Sequence, residues 1–171
     1  KISRVSISSP NWVASDIGAQ DEAGSSLFDG LNWTLRGGGL DIAGNADQFN
    51  FSRRSYAGNA TIVGKLESVN DTGGNEKAGL MIRDGSDVNS KYAFVYTDAD
   101  GGLNFDVRST TGGSTQSLGS VAAVSAPIHL RLSRTGSTFR AYYSYNGADW
   151  TQVGSDATVS MRTVIGVGMA V

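Results

Sequence analysis

Two carboxyl groups facing each other across a sugar ring, roughly 5 to 9 Å apart, are what glycoside hydrolysis needs. Glutamate occurs only at Glu22, Glu67 and Glu76, and no Glu-x-Asp-x-Glu run sets acids along one side of a strand. Asp98 and Asp100 have a suitable spacing but stand beside Gly101-Gly102, where a solvated turn is the simpler account. A Ser-His-Asp arrangement would have to use His129, the single histidine, and no Gly-x-Ser-x-Gly elbow accompanies it. Gly37-Gly38-Gly39 opens no helix, so a phosphate cradle is unsupported. Cysteine is absent, which removes thiol catalysis, disulfides and Cys-ligated zinc together. The residues point away from an enzyme.

They suit binding better. A sugar offers hydroxyls that pair with planar polar groups and C–H faces that stack on aromatic rings, so a glycan site mixes Arg, Asp, Asn or Gln with Tyr or Trp. Strict alternation supplies such a set on faces turned away from a core. In Lys77 to Arg83, Ala78, Leu80 and Ile82 share one side and Lys77, Gly79, Met81 and Arg83 the other. The same parity turns out Gln48 and Asn50, then Asn104, Asp106 and Arg108, and also Arg140 and Tyr142. The candidate carbohydrate-binding residues are therefore Arg83, Asp106, Arg108, Lys77, Gln48, Asn104, Tyr142 and Arg140. Arg83, Asp106 and Arg108 are expected to form a guanidinium–carboxylate cluster on an open sheet face. An ordinary surface ion-pair lattice is the competing account of the same residues. No cofactor is required. A structural calcium is the one metal considered, for the oxygen-rich stretches Asp84-Gly85-Ser86-Asp87-Val88-Asn89 and Asp98-Ala99-Asp100-Gly101, with its ligands unassigned.

The elements that must carry these side chains are strands. Alternation recurs in Asn104 to Arg108, His129 to Ser133 and, less cleanly, Phe139 to Ser144. Thr61 to Glu67, Lys77 to Arg83, Tyr92 to Thr97 and Val164 to Val171 read as further strands. Asp100-Gly101-Gly102, Thr135-Gly136-Ser137 and Asn146-Gly147 separate them as turns, the last pair suiting a tight hairpin. Phe49, Phe51, Phe105 and Phe139 read as core, with Trp33 and Trp150 as packing residues. No 3.6-residue apolar stripe occurs. The pattern predicts an all-β fold of about a dozen short strands, a two-sheet antiparallel β-sandwich of the jelly-roll kind.

The totals agree. The 171 residues allow one sandwich domain over 1–171, with 39% hydrophobic and 18% charged residues and 23 glycines as punctuation between short elements. A net charge of −2 without a basic stripe argues against a nucleic-acid partner, and no apolar run is long enough to span a membrane as a helix. The chain opens at Lys1 with no leader, which reads as a piece of a larger, secreted, multidomain protein.

Several blocks carry a family likeness. Asp29-Gly30-Leu31-Asn32-Trp33-Thr34, Asp41 to Phe49, Lys77-Ala78-Gly79-Leu80-Met81-Ile82-Arg83-Asp84, Leu130-Arg131-Leu132, Phe139 to Ser144 and Trp150 to Gly154 follow one another in order. Together they resemble the concanavalin A-like, laminin G-like β-sandwich accessory modules of secreted bacterial glycoside hydrolases. Ile128-His129 departs from the aromatic pair that family members often carry after Ala-Pro. The resemblance implies a non-catalytic carbohydrate-binding module that holds an appended glycoside hydrolase on a polysaccharide of the glucan or fructan class. The expected partners are a poly- or oligosaccharide and a neighbouring catalytic domain, in an extracellular setting. The rival readings are an interaction domain of a surface protein without a glycan site and, behind it, a glycosidase with unusual carboxylates.

Overall fold

The computed structural model describes residues 2–3, 11–70, 72, 74 and 76–171. Among the described residues fourteen strands follow one another: β1 (Ile2–Ser3), β2 (Val13–Ile17), β3 (Ser25–Phe28), β4 (Asn32–Arg36), β5 (Phe49–Ala57), β6 (Ala60–Leu66), β7 (Lys77–Arg83), β8 (Tyr92–Asp98), β9 (Leu103–Arg108), β10 (Gln116–Val121), β11 (Ile128–Thr135), β12 (Thr138–Ser144), β13 (Thr151–Thr158) and β14 (Val164–Ala170). They form two antiparallel sheets of seven strands. The first runs β13-β12-β11-β6-β1-β4-β3 and the second β10-β9-β8-β7-β14-β5-β2. No helix among the described residues is long and apolar enough to cross a membrane. The architecture is the two-sheet antiparallel sandwich that the alternation predicted.

Side-chain parity builds the layer between the sheets. Along β11 the burial alternates residue by residue, with Ile128, Leu130 and Leu132 inside and His129, Arg131 and Ser133 half-exposed on the other side. Ala78, Leu80 and Ile82 of β7, Ala93 and Val95 of β8, and Leu103, Phe105 and Val107 of β9 meet Ile62, Leu130, Leu132, Phe139 and Val153 of the first sheet in one apolar cluster. Each large side chain removed from water there contributes about 1.5–3 kcal/mol. That layer sets the pleat of every neighbouring strand, because a one-residue slip would turn its apolar set into solvent.

The second sheet is buried on its outer side as well. Ile17, Ile42, Phe49, Phe51, Met81, Tyr92, Phe94, Tyr96 and Ala170 form a separate cluster there. Phe49 and Phe51 are therefore core residues of this outer cluster, not of the inter-sheet layer. The cover is irregular chain from three places: residues 37–48, 84–91 and 109–115. Backbone bonds join the three, from Asp47 N to Val88 O (2.9 Å), Thr115 N to Gly44 O (2.8 Å) and Gly112 N to Asn89 O (2.9 Å). The glycine run enters this cover at close quarters: a side chain on Gly39 would place its Cβ 1.9 Å from the Gln48 carbonyl oxygen. Trp33 is half-buried, between Phe28 (5.0 Å, stacked) and Trp12 (5.4 Å).

Candidate functional site

Strand pairing puts Arg83, Tyr92 and Arg108 in one row across β7, β8 and β9, with Met81, Phe94 and Asp106 in the next. Parity placed them on the outer face correctly; that face is not open there. Arg83 and Arg108 are both 0% exposed and Asp106 8%. The expectation of an accessible Arg83–Asp106–Arg108 wall is thus corrected, and the cause is the cover. Asp47, also fully buried, accepts from Arg83 Nη1 (2.7 Å) and from Arg108 Nη1 and Nη2 (2.5 and 2.6 Å). Other donors go to carbonyls of the covering chain: Arg83 Nη2 to Asp87 and Val88, and Arg108 to Ala43, Gly44, Ser90 and Gly113. The Tyr92 ring lies 5.6 Å from one guanidinium carbon and 4.9 Å from the other. The Arg–carboxylate partner is Asp47, not Asp106.

Two guanidiniums around one carboxylate leave a buried excess of positive charge. Burial lowers the Arg83 pKa from its ordinary value, and Asp47 acts against that shift. Arg83 Nε has no acceptor among the described residues. Such a cluster holds loops in register more than it adds net stability, because desolvation offsets most of the Coulombic gain.

The other end of the same face is open. A hollow of about 380 Å³ is lined by Asp41, Gln48, Glu76 and Lys77 with Gly37, Gly39, Leu40, Ile42 and Phe49. Lys77 Nζ lies 2.7 Å from Asp41 Oδ1, donates to the Ile42 carbonyl (3.1 Å) and stands 5.3 Å from the Tyr96 ring centre. Tyr96 Oη in turn donates to Asp106 Oδ2 (2.8 Å). Burial raises the Asp106 carboxyl, with Tyr96, Ser117 and Lys77 pulling it back down. Burial likewise raises the Tyr96 phenol, so it serves as a donor throughout the working range. Asn104 Nδ2 donates to Asp98 Oδ2 (3.1 Å) across the row from Tyr96. Glu76 is pulled down to about 2 by the Thr72 hydroxyl and by backbone N–H groups of the same rim.

Of the eight candidate residues, then, Lys77 and Gln48 line the hollow, and Asp106 and Asn104 stand behind it. Arg83 and Arg108 hold the cover at the far end. Asn50, also expected outside, is 1% exposed and donates to Asp16 Oδ1 (2.8 Å). Tyr142 and Arg140 lie on the opposite sheet, where Arg140 pairs with Asp156 (2.6 Å). The alternation did not single out Asp41, Asp47 or Glu76. Asp41 and Asp47 lie in the irregular stretch between Asp41 and Phe49, where no strand periodicity marks which side chains turn inward.

Neither acidic loop gathers its carboxylates around one point. Asp84 is held by Lys91 (3.2 Å) and Arg162 (3.0 Å), and Asp98 by the Gly102 N–H (2.6 Å) and Asn104. Among the described residues no three His, Cys, Asp or Glu side chains come together as a metal would require.

Residues 25–168 match the family model of the β-xylosidase C-terminal concanavalin A-like domain. No curated protein sequence matches the chain. Among solved structures, the carbohydrate-binding module CBM66 from Bacillus subtilis superposes with a TM-score of 0.59 at 17% identity, covering 92% of this chain and 86% of that one. A functionally unknown protein from Saccharomyces cerevisiae gives 0.68 at 13%, over 92% and 85%. A GH43 protein from Bacillus licheniformis gives 0.47 at 21%, over 78% of this chain and 29% of that one. At these identities the first two speak for a shared fold.

Proposed function

Since the chain belongs to the family of β-xylosidase C-terminal concanavalin A-like domains, a non-catalytic module, we propose that it binds carbohydrate as an accessory to a glycoside hydrolase. The observation that carries this reading is the polar hollow formed by Asp41, Gln48, Glu76 and Lys77 at the open end of the second sheet's outer face. Its volume lies in the range of about 300–1,000 Å³ that small-ligand clefts occupy. Lys77 and Gln48 present donors, and Asp41 and Glu76 acceptors, the mixture that sugar hydroxyls pair with. The likeness in fold to a carbohydrate-binding module supports the reading. In this proposal the glycan is a glucan or fructan, the partner is a linked catalytic domain, the setting is extracellular and no cofactor takes part.

The test is retention of the chain on insoluble α-glucans, β-glucans and fructans, with and without chelator. The wild type is expected to be retained on one of them without releasing reducing sugar. Lys77→Ala and Gln48→Ala should each weaken retention about tenfold while the thermal midpoint holds. No retention on any member of the panel, or retention that ignores both substitutions, would sink the proposal. Loss of binding on chelation would bring a structural calcium into it.

One observation favours the second reading, an interaction domain. Leu27, Phe28 and Leu31 are 68%, 49% and 69% exposed at the β3 edge of the first sheet, with Phe28 stacked on Trp33. Large apolar side chains left exposed at a sheet edge suit a protein neighbour. Leu31→Asp separates the two readings: it leaves glycan retention intact in the first and removes the domain contact in the second.

A further inference from the structure

The first sheet also has an outer face, and the hollow has no part in it. Cross-strand pairing puts Val63, Arg131, Tyr142 and Gln152 in one row over β6, β11, β12 and β13. Arg131 occupies the middle. Its guanidinium carbon lies 4.1 Å from the Tyr142 ring centre and 4.5 Å from that of Trp150. All three side chains are half-buried.

Trp150 reaches this position from the turn before β13, and that turn is built rigidly. Asn146 Oδ1 accepts from the Ala148 and Asp149 N–H groups (both 2.9 Å), and Asn146 Nδ2 donates to Asp149 (2.8 Å). Ser144 Oγ accepts from Gly147 N–H (2.9 Å). Gly147 takes a φ of +76°, and its backbone lies against the His129 ring. A turn closed by so many local bonds sets the backbone from which Trp150 projects, which lowers the ordering cost of binding.

The charges on this face divide unevenly. Arg140 is neutralised by Asp156 at 2.6 Å and Lys65 by Glu67 at 3.1 Å. Arg131 has no hydrogen-bond acceptor and no carboxylate among the described residues; aromatic rings are what it touches. A guanidinium packed against two rings, with no carboxylate beside it among the described residues, keeps its N–H donors for a carboxylate in the two-pronged geometry that Arg favours. The rings beside it supply a surface for the C–H face of a sugar. One ligand class answers all three features: a pyranose bearing a carboxylate.

We propose that the outer face of the first sheet carries a second glycan site, centred on Arg131 between Tyr142 and Trp150, whose ligand is a uronate residue of an acidic polysaccharide. Binding there is independent of the hollow beside Lys77. The carboxylate meets the Arg131 guanidinium, and the sugar ring lies against Tyr142 or Trp150.

The experiment titrates the whole chain with oligogalacturonate and with the same oligomer fully methyl-esterified, by calorimetry and by amide shift mapping, at low and high salt. The wild type is expected to bind the acid at least about tenfold more tightly than the ester, as a charge-assisted pair implies. Added salt should narrow the difference. Shifts should centre on residues 131, 142 and 150. Arg131→Gln should erase the preference for the acid with the thermal midpoint unchanged, and Arg131→Lys should keep part of it. Lys77→Ala should leave the titration as it is, which keeps this test separate from that of the hollow. Equal affinity for acid and ester, no binding of either, or an acid preference that survives Arg131→Gln would each overturn the proposal. The ester comparison uses the unaltered chain, so it decides even where a variant folds poorly.

Discussion

Arg83 and Arg131 show how one residue type does opposite work according to what surrounds it. Arg83 has no exposed surface, two carbonyl acceptors and a shared carboxylate; Arg131 has two rings and, among the described residues, no acceptor, at half exposure. Removing a partner from a buried ion pair costs about 3–5 kcal/mol, because the charge left behind stays buried without compensation. Arg83→Ala is therefore expected to lower the unfolding free energy by about that amount in urea titration, through Asp47 and the carbonyls it abandons. Arg83→Lys should recover only part of the loss, since one ammonium cannot reach Asp47 and both carbonyls in the guanidinium's planar geometry. A change within about 1 kcal/mol for Arg83→Ala would contradict the burial of this cluster and restore the open-face expectation. Arg131→Gln should stay within the roughly ±0.5 kcal/mol usual for surface changes.

At the scale of the elements, the pieces that position the hollow are a glycine crossing and a carboxylate-anchored rim. A Cβ on Gly39 would meet the Gln48 carbonyl at 1.9 Å, backbone against backbone, so neither side can yield cheaply. Gly39→Ala is expected to destabilise by about 1–3 kcal/mol, as overpacking does, and to abolish glycan retention by displacing Gln48. Retention at wild-type level would show that the crossing does not shape the site. The rim depends on Glu76, whose pKa falls from 4.5 to about 2. A depressed carboxylate contributes its stability fully above its unfolded value and loses it as pH drops through the folded one. The Thr72 and Gly74 amide bonds should therefore weaken only between about pH 4.5 and about pH 2. A carboxyl-carbon titration with its midpoint near 4.5 would refute this. The strands themselves were legible because the inter-sheet layer imposes a period of two, and Lys77–Arg83 was readable to the residue. The cover was not. Its contacts run through carbonyls of Ala43, Gly44, Asp87 and Val88, which every residue type carries, so no side-chain pattern announces that residues 37–48 fold back over Arg108. The Arg131–Trp150 contact was hidden for a related reason: it needs the β11–β12 register and the turn ending at Trp150 together, and each segment alone reads as packing.

For the molecule as a whole, the two apolar clusters have unequal protection. The layer between the sheets is sealed by strands whose backbone bonds run in continuous ladders. The outer cluster under residues 37–48, 84–91 and 109–115 is sealed by irregular chain, and the bonds that hold its cover converge on Asp47, Arg83 and Arg108. A structure arranged in this way should open in two tiers, with the cover lifting at a lower free energy than global unfolding. Asp47→Asn keeps the size of the side chain and removes the charge that both guanidiniums face. In that variant, hydrogen exchange at the backbone amides of position 47, Gly112 and Thr115 is expected to accelerate at least about tenfold relative to the parent. The amides of β11 and β12 around Leu130 and Ala141 should lose protection only by the accompanying loss of global stability. The Arg131 face, borne by the strands of the first sheet, should keep its ligand titration in the same variant. Acceleration by one common factor at all these amides would mean that the cover and the sandwich unfold as a unit. The loops would then be part of the core's cooperativity, and not a separable roof over the sheet that carries the hollow.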